Sequence, residues 1–399
     1  MVTVTAVVTA FFWAAIALIV YTYAGYPLWL LVMARLRPQP IKKGAATPEV
    51  VVVVVGHNEA HRIEAKIRTC LAQDYPADKL RVLVVSDGST DVTADIVGAY
   101  PDARVGLLAC PTRRGKAACL NDSVAHTQAP IIVFTDARQR LHPQAISRLV
   151  ANFADPAIGA VSGELVFEDD DGTSFADGIG AYWLYEKFIR TREAATGSVV
   201  GVTGALYAIR RVCFNPIPTP TILDDVAIPM LAAMQGWRIS FESGAIAYDK
   251  PSSDASQEKI RKVRTLAGNF QLISLFDGLL LPWRNPLWWR FVSHKMLRLV
   301  CPLALLVALL ANAVLALNSG FYAALWALQV LGYVTVAAAI RWPVLQRGKV
   351  LRLGVTFMHL NVFVVQGWRM HLSQQQAHLW SSSANVDDLK KSARPEKKP

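Results

Sequence analysis

The sequence predicts an α/β protein, a doubly wound, largely parallel sheet flanked by transmembrane helices, one N-terminal and two or three C-terminal. Three observations carry this. Between residues 47 and 250, short β-branched runs alternate with segments of helical spacing. No Asp, Glu, Lys, Arg or His occurs from Met1 to Ala34, and none from Leu299 to Ile340. Each of these stretches exceeds the roughly 20 apolar residues that a bilayer-spanning helix needs.

The first apolar stretch lacks a basic start and an evident small-residue cleavage site. It is therefore expected to stay as an anchor over 1–36 and not to be removed as a signal peptide. Val50 to Val55 is an unbroken valine run, as in a strand covered on both faces, and Leu80 to Val85 and Ile131 to Thr135 repeat the pattern. Helical spacing runs over Ala60 to Ala72, Thr93 to Tyr100 and Lys116 to His126. This alternation defines a domain over 47–275. Beyond it, Trp283, Trp288 and Trp289 lie beside Arg284 and Arg290, so 276–297 reads as an interfacial segment. Asn318, Ser319 and Gly320 split the second charge-free stretch into the two arms of a helical hairpin. A third segment, Arg352 to Arg369, is shorter and contains His359, Asn361 and Gln366; a span, a re-entrant piece and an interfacial helix all fit it. The C-terminal membrane region is thus 298–370, and a basic flexible tail fills 381–399.

Basic residues follow the first span (Arg35, Arg37, Lys42, Lys43) and flank the hairpin (Lys295, Arg298, Arg341, Arg347). That bias predicts a multi-pass protein of the cell (inner) membrane with its central domain in the cytoplasm. The tail's Lys390, Lys391, Arg394, Lys397 and Lys398 argue, by the same rule, against a spanning last segment. The net charge of +11 suits anionic membrane lipids as partners. No Lys/Arg stripe interleaved with aromatics points to nucleic acid. The five cysteines have no metal-ligand spacing and fit a reducing compartment.

Asp87 and Asp136 each end a predicted strand, and Asn58 and Glu59 follow the first one. In open α/β sheets ligands bind outside the carboxyl ends of the strands. A strand-end Asp or Asn is also a common turn former, but three at consecutive strand ends argue for a shared ligand. Neither G-x-G-x-x-G nor a P-loop follows the first strand. Arg113, Arg114 and Lys116 surround Gly115 at a helix N-terminus, a setting that favours an anion. Carboxylates for a base and ribose, beside cations for phosphates, suit a nucleotide diphosphate. Tyr182, Trp183, Tyr185 and Trp237 read as core aromatics, and His57, His61 and His142 as loop or surface residues.

These residues fall within an ordered series: "VVVVVGHNEA", "VVSDGSTD", "RRGKAACLN", "VFTDARQRL", "VGVTGALYAIRR", "LDDVAIPMLAAMQGWRI" and "KIRKVRTLAGN". Over residues 48–275 the series resembles the membrane-bound, inverting family 2 glycosyltransferases of the GT-A fold, which include cellulose, chitin and hyaluronan synthases and exopolysaccharide transferases. The resemblance implies that Asn58, Glu59 and Asp87 line a nucleoside pocket, with Asp87 on the base, and that Lys116 lies near the nucleotide. Asp136 matches the first aspartate of the family's D-x-D metal motif, so Mg²⁺ or Mn²⁺ is the expected cofactor. Arg138 stands in the second place, and a cation cannot ligate a metal. Either the metal relies on Asp136, the diphosphate and water, or Arg138 takes over part of the charge neutralisation. Asp225 matches the catalytic base. Asp224 fits either a direct role or a helix cap. Arg264 is the one residue that matches the family's Q-x-x-R-W motif, and without the Gln and Trp processive synthesis is not expected.

The expected activity is therefore transfer of a sugar, with inversion, from a nucleotide-sugar donor, a UDP-sugar by expectation, to a saccharide or lipid-linked acceptor. Such a reaction belongs to extracellular or cell-surface polysaccharide synthesis, with other polysaccharide-synthesis proteins as candidate partners. Two rivals stand beside it. A catalytically inactive nucleotide-sugar-binding or assembly subunit would explain Arg138 and the eroded Q-x-x-R-W. A transporter would need ionisable residues inside the hairpin, which has none.

Overall fold

The computed structural model describes residues 2–168, 175–250 and 255–373. The chain begins with α1 (Val2–Val20), passes through a π turn at Tyr21–Gly25 and continues as α2 (Tyr26–Leu36). The first half of the domain follows as β1 (Val50–Gly56), α3 (Ile63–Leu71), β2 (Leu80–Asp87), α4 (Thr93–Gly98), β3 (Val105–Cys110), α5 (Lys116–Ala125) and β4 (Ile131–Asp136). Its second half is β5 (Arg140–Leu141), α6 (Ala145–Ala151), β6 (Ile158–Phe167), α7 (Phe175–Ala195), β7 (Tyr207–Arg210), α8 (Asp224–Met234) and β8 (Arg238–Asp249). Then come α9 (Ala255–Leu275), α10 (Trp288–Phe291), α11 (Leu297–Ala316), α12 (Gly320–Arg341) and α13 (Lys349–Leu372).

The eight strands form one sheet in the order β3-β2-β1-β4-β7-β6-β8-β5. Strands β3, β2, β1 and β4 are mutually parallel, β7 runs antiparallel to β4 and β6, and β8 is parallel to β6. The valine run explains the centre. Val51, Val53 and Val55 point into one core with Ala117, Leu120 and Ile228, while Val50, Val52 and Val54 point into the other with Ile63, Ile67 and Leu149. Every residue of β1 is buried, so a run without polar alternation is what this position demands. Strand β3 escapes the sequence reading because it is the edge strand and only partly buried, so its apolar pattern is weak.

Four helices among the described residues are long and apolar enough to cross a membrane: Val4–Leu36, Trp288–Ala316, Gly320–Arg341 and Lys349–Leu372. Alanines let the first two approach closely, with Phe12 and Ala15 packed on Ala304, Ala308 and Ala311. The second helix begins at Trp288, inside the segment read as interfacial, because its charged side chains are consumed by the domain. Arg290 donates to the carbonyl oxygens of Glu193, Thr196 and Ser198. His294 lies between Glu186 (3.1 Å) and Glu193 (3.0 Å), Arg298 pairs with Glu186, and the Tyr26 hydroxyl donates to Glu193 at 2.6 Å. Buried ionic groups survive only when so partnered. The last segment is one continuous helix, α13, with no return turn. Its C-terminal half lies along α9: Phe270 stacks on His371 at 6.2 Å, and a Cβ at Gly367 would stand 3.0 Å from the backbone nitrogen of Ala267. The tail read as basic and flexible, 381–399, lies outside the described residues.

Candidate active site

The register aligns the strand ends that matter. Gly56 is opposite Ser86 and Val55 is opposite Asp136, so the chain leaves β1, β2 and β4 along one rim. Asp87, fully buried at the end of β2, accepts the backbone N–H of Arg114 on Oδ1 (2.7 Å) and that of Gly115 on Oδ2 (2.9 Å). A short β-branched run that stops on aspartate thus holds the basic loop against the sheet. Gly88 permits the turn, with φ +59° and the backbone of Thr112 and Arg113 directly against it. The Cys119 thiol bonds the same carboxylate. Replacing Asp87 by alanine leaves two loop N–H groups unpaired and is expected to weaken nucleotide binding by about 1–3 kcal/mol; titration with UDP and GDP checks this, and unchanged affinity for both would remove Asp87 from the pocket.

Asn58 sits beside that turn with φ 55°, its Oδ1 accepting the Thr90 N–H at 2.8 Å, while its own N–H donates to Ser89 Oγ at 3.1 Å. Its side chain therefore ties the first two strand ends together. Glu59 is buried, and burial pushes its carboxyl up to about 7 against the opposing pull of Arg62 at 2.9 Å. His57, read as a loop or surface residue, lies in the bend after β1 and is buried there, with its Nδ1 2.8 Å from the Asp87 carbonyl oxygen. Proximity of β1 to β2 puts it there, which local sequence cannot reveal.

At the centre stands Lys116, at the start of α5. Its Nζ donates to Asp136 Oδ1 at 2.8 Å and lies 3.3 Å from Asp224 Oδ2. Burial opposes its charge, but Asp136 and Asp224 outweigh that and raise its pKa. Asp224 and Asp225 form the first turn of α8, where carboxylates suit the helix dipole. Asp224 is buried, whereas Asp225 is partly exposed, with its carbonyl oxygen accepting the Val202 N–H at 2.9 Å. Burial and then the neighbouring Asp224 push the Asp225 carboxyl up to about 6, with Lys116, Lys295 and Arg190 opposing. Arg264 on α9, the helix that lies along α13, acts on the same cluster. Burial lowers its pKa, and Asp224, Asp136 and Asp225 resist that shift. Residues 116, 136, 224, 225 and 264 therefore form one cluster although they span much of the chain, and Asp87 is joined to it through the loop that carries Gly115 and Lys116.

The two basic loop residues part company. Arg114 turns outward to pair with Asp122. Arg113 turns inward, and its Nε and Nη2 are buried with no hydrogen-bond partner among the described residues. Burial lowers its pKa, and its charge is felt by Arg264. A guanidinium with two buried nitrogens left without a partner among the described residues, close enough to Arg264 for each charge to act on the other, suits an anion there.

Arg138 does not face the phosphate region alone. It pairs with the buried Asp249 at the end of β8, which also accepts from Gln139 Nε2 at 2.9 Å. Asp249 was not among the residues singled out, although "AIAYD" carries the same signal as the other strand ends. Lys66 was missed as well. It lies on the apolar face of α3 and is fully enclosed, donating to Thr135 Oγ1 (2.7 Å) and the Gln139 carbonyl (2.8 Å), so it braces the loop behind Asp136. Replacing Arg138 by methionine leaves the Asp249 carboxylate short of a partner and is expected to cost about 1–3 kcal/mol of stability. Thermal unfolding reads it, and a fall in nucleotide affinity with no loss of stability would return Arg138 to the phosphates.

For a divalent cation, the residues fit in one way. No group of three or more His, Cys, Asp or Glu among the described residues could hold a metal. Asp136 is about one-third exposed and has an oxygen beyond the one used by Lys116. A cation would be held by Asp136 together with donor phosphate oxygens and water, the usual arrangement for Mg²⁺ at nucleotides.

Comparison with known proteins identifies one domain. Residues 51–216 match the model of glycosyl transferase family 2. The chain carries a family 2 glycosyltransferase domain. The chain is 26% identical to the mannosyltransferase PcManGT of Pyrobaculum calidifontis, solved with GDP-Man and Mn²⁺, with a TM-score of 0.67 over 92% of this chain and 100% of that one. The mixed sheet with its apolar flanking helices is thus of the GT-A type. In sequence it is 25% identical to the beta-monoglucosyldiacylglycerol synthase of Synechocystis over 59% of this chain and 52% of that protein. It is 32% identical to an N-acetylglucosaminyltransferase of Mesorhizobium japonicum over 42% and 41%. The chain therefore spans about half the length of these curated relatives.

Proposed function

We propose that the protein transfers a sugar, with inversion, from a nucleotide diphosphate donor to a saccharide or lipid-linked acceptor at the cytoplasmic face of the membrane that its apolar helices enter. One observation carries the reading. Lys116 is shared by Asp136 and Asp224, and beside it stand two half-buried cations, Arg264 and Arg113, the latter with Nε and Nη2 buried and without a hydrogen-bond partner among the described residues. Carboxylates and cations so interleaved suit a ligand that is a sugar at one end and a diphosphate at the other.

In the proposed reaction Asp225 accepts the proton of an acceptor hydroxyl as its oxygen attacks the anomeric carbon. The bond from that carbon to the diphosphate oxygen breaks, and the electron pair leaves with the diphosphate on the opposite face. Arg113, Lys116 and Arg264 offset the charge that develops there. A divalent cation beside Asp136, when bound, supplies further neutralisation of the diphosphate. The PcManGT likeness favours Mn²⁺ and a nucleotide-sugar, with GDP-mannose now beside UDP-sugars as a candidate donor.

Incubating the purified full chain with a panel of UDP- and GDP-sugars and Mn²⁺, and following release of the nucleotide diphosphate, tests this. Turnover of one donor is expected. Binding of a nucleotide-sugar without any turnover would instead make the chain a binding subunit.

A further inference from the structure

We propose that Cys110 and Cys119 form a dithiol site for low-molecular-weight disulfides, which oxidise the pair to one cystine across the base of the basic loop and so withdraw that loop from the nucleotide. The oxidation site stands apart from the transferase reading; its effect on nucleotide binding rests on it. Cys110 ends β3, Cys119 lies in the first turn of α5, and Pro111 to Ala118 between them include Arg113 and Lys116. Their surroundings bring the two thiols to one place. Cys110 is the register partner of Asp87 in the neighbouring strand, and Asp87 holds the N–H groups of Arg114 and Gly115. Arg114 Nη2 lies 3.3 Å from Cys110 Sγ and also pairs with Asp122, so Cys110 Sγ faces α5 on its Asp122 side. Cys119 precedes Asp122 by three residues and shares that face. Cys110 packs there against the buried apolar group that contains Cys119, and the Cys119 thiol hydrogen-bonds with the Cys110 sulfur as well as with Asp87.

The two thiols have different tasks. Cys110 is partly exposed, with the Arg114 guanidinium beside its sulfur, whereas Cys70, Cys213 and Cys301 are buried, so Cys110 is the thiol that an oxidant meets first. Cys119 is fully buried, and burial, Asp87 and Cys110 push its pKa up, so it stays protonated until a sulfur in contact can be attacked. The Cys110 thiolate attacks one sulfur of the small disulfide, whose S–S bond breaks as the first small thiol leaves. The Cys119 sulfur then attacks the Cys110 sulfur, its proton passes to Asp87 and on to water, and the second small thiol leaves. One small disulfide and two protein thiols become one protein disulfide and two small thiols, so the protein loses two electrons and the small disulfide gains them. A reducing compartment keeps such a pair open, and a rise in oxidised thiols closes it. An S–S bond of about 2 Å is shorter than any contact between two thiols, so closure draws the first turn of α5 toward β3. Lys116 lies three residues before Cys119 in that turn, and its contacts to Asp136 at 2.8 Å and Asp224 at 3.3 Å shift with it.

The test uses the purified full chain in detergent, equilibrated with mixtures of reduced and oxidised glutathione, and reads disulfide content and nucleotide affinity. Peptide mass mapping is expected to find one disulfide between Cys110 and Cys119, lighter than the dithiol by its two hydrogens and reversed by dithiothreitol. Titration with UDP and GDP is expected to show affinity about tenfold lower in the oxidised form and restored on reduction. Cys110→Ser should bind nucleotide as the reduced wild type does and should not respond to oxidised glutathione. Cys119→Ala should stop at a mixed disulfide on Cys110, which reports the order of attack whatever its own affinity. Absence of the Cys110 to Cys119 disulfide from the oxidised wild type, or its presence with nucleotide affinity unchanged, overturns the proposal. If the reduced wild-type chain binds neither nucleotide, the transferase reading fails and takes the effect of the loop with it, while the mapped disulfide still decides the site.

Discussion

Asp225→Asn is expected to leave nucleotide affinity near the wild-type value and to lower transfer by about 10²–10⁴-fold, the usual contribution of a positioned general base. Asparagine has the same shape but cannot accept the proton of the attacking hydroxyl. It also keeps the first turn of α8 and its contact to Val202 intact, so the loss should appear in kcat and not in KM. The pH profile gives a second reading. The Asp225 carboxyl is raised to about 6 by burial and by Asp224, and a base works only when ionised. In the wild type, kcat/KM should therefore climb as the pH rises through about 6 and level above it, and in the variant that limb should vanish. Glu59, raised to about 7, ionises in the same range, so both profiles are taken in a Glu59→Gln background. If Asp225→Asn retains full activity, or if the limb persists in its residual activity, the base has been assigned wrongly.

Gly88→Ala should damage binding and stability together, although a glycine has no side chain to touch a substrate. The left-handed backbone costs an alanine roughly 1–2 kcal/mol. In addition, the new Cβ would stand 2.4 Å from the Arg113 nitrogen and 2.6 Å from the Thr112 carbonyl carbon, both backbone atoms that cannot rotate away. The loop must move, and the N–H groups of Arg114 and Gly115 move with it off Asp87, at about 0.5–1.5 kcal/mol for each bond weakened. Arg113 and Lys116 ride on the same loop, so nucleotide affinity should fall by about tenfold or more together with the unfolding temperature. Titration with UDP and GDP and a thermal scan in detergent measure both. Wild-type values for the two would mean that the turn is not what positions the cationic side of the cleft.

How much of this was legible in the chain depends on how local the signal is. The valine runs, their terminal aspartates and the charge-free stretches are read within one element, and from them followed the α/β domain, its ligand rim and its apolar flanks. Lys116 was placed near the ligand by its neighbours in sequence alone. Arg113 and Arg114 were indistinguishable at that level, because which of two adjacent arginines turns inward is set by Asp122 and by the position of Asp87 under the loop. The role of Arg138 was likewise hidden. Its partner Asp249 is distant in sequence and arrives only when β8 is laid beside β5 and β6.

The sequence by itself determined the alternation of strands and helices, the carboxylates at the strand ends and the apolar helices, because each is a matter of local periodicity and of which side chains water rejects. Only the tertiary structure decided that Asp136, Asp224 and Lys116 share one contact, that the helix beginning at Trp288 runs on through its own charges, and that α9 and α13 lie together. The physical reason is that a buried charge is tolerated only beside its counter-charge, and here those partners come from elements that no stretch of neighbouring residues contains.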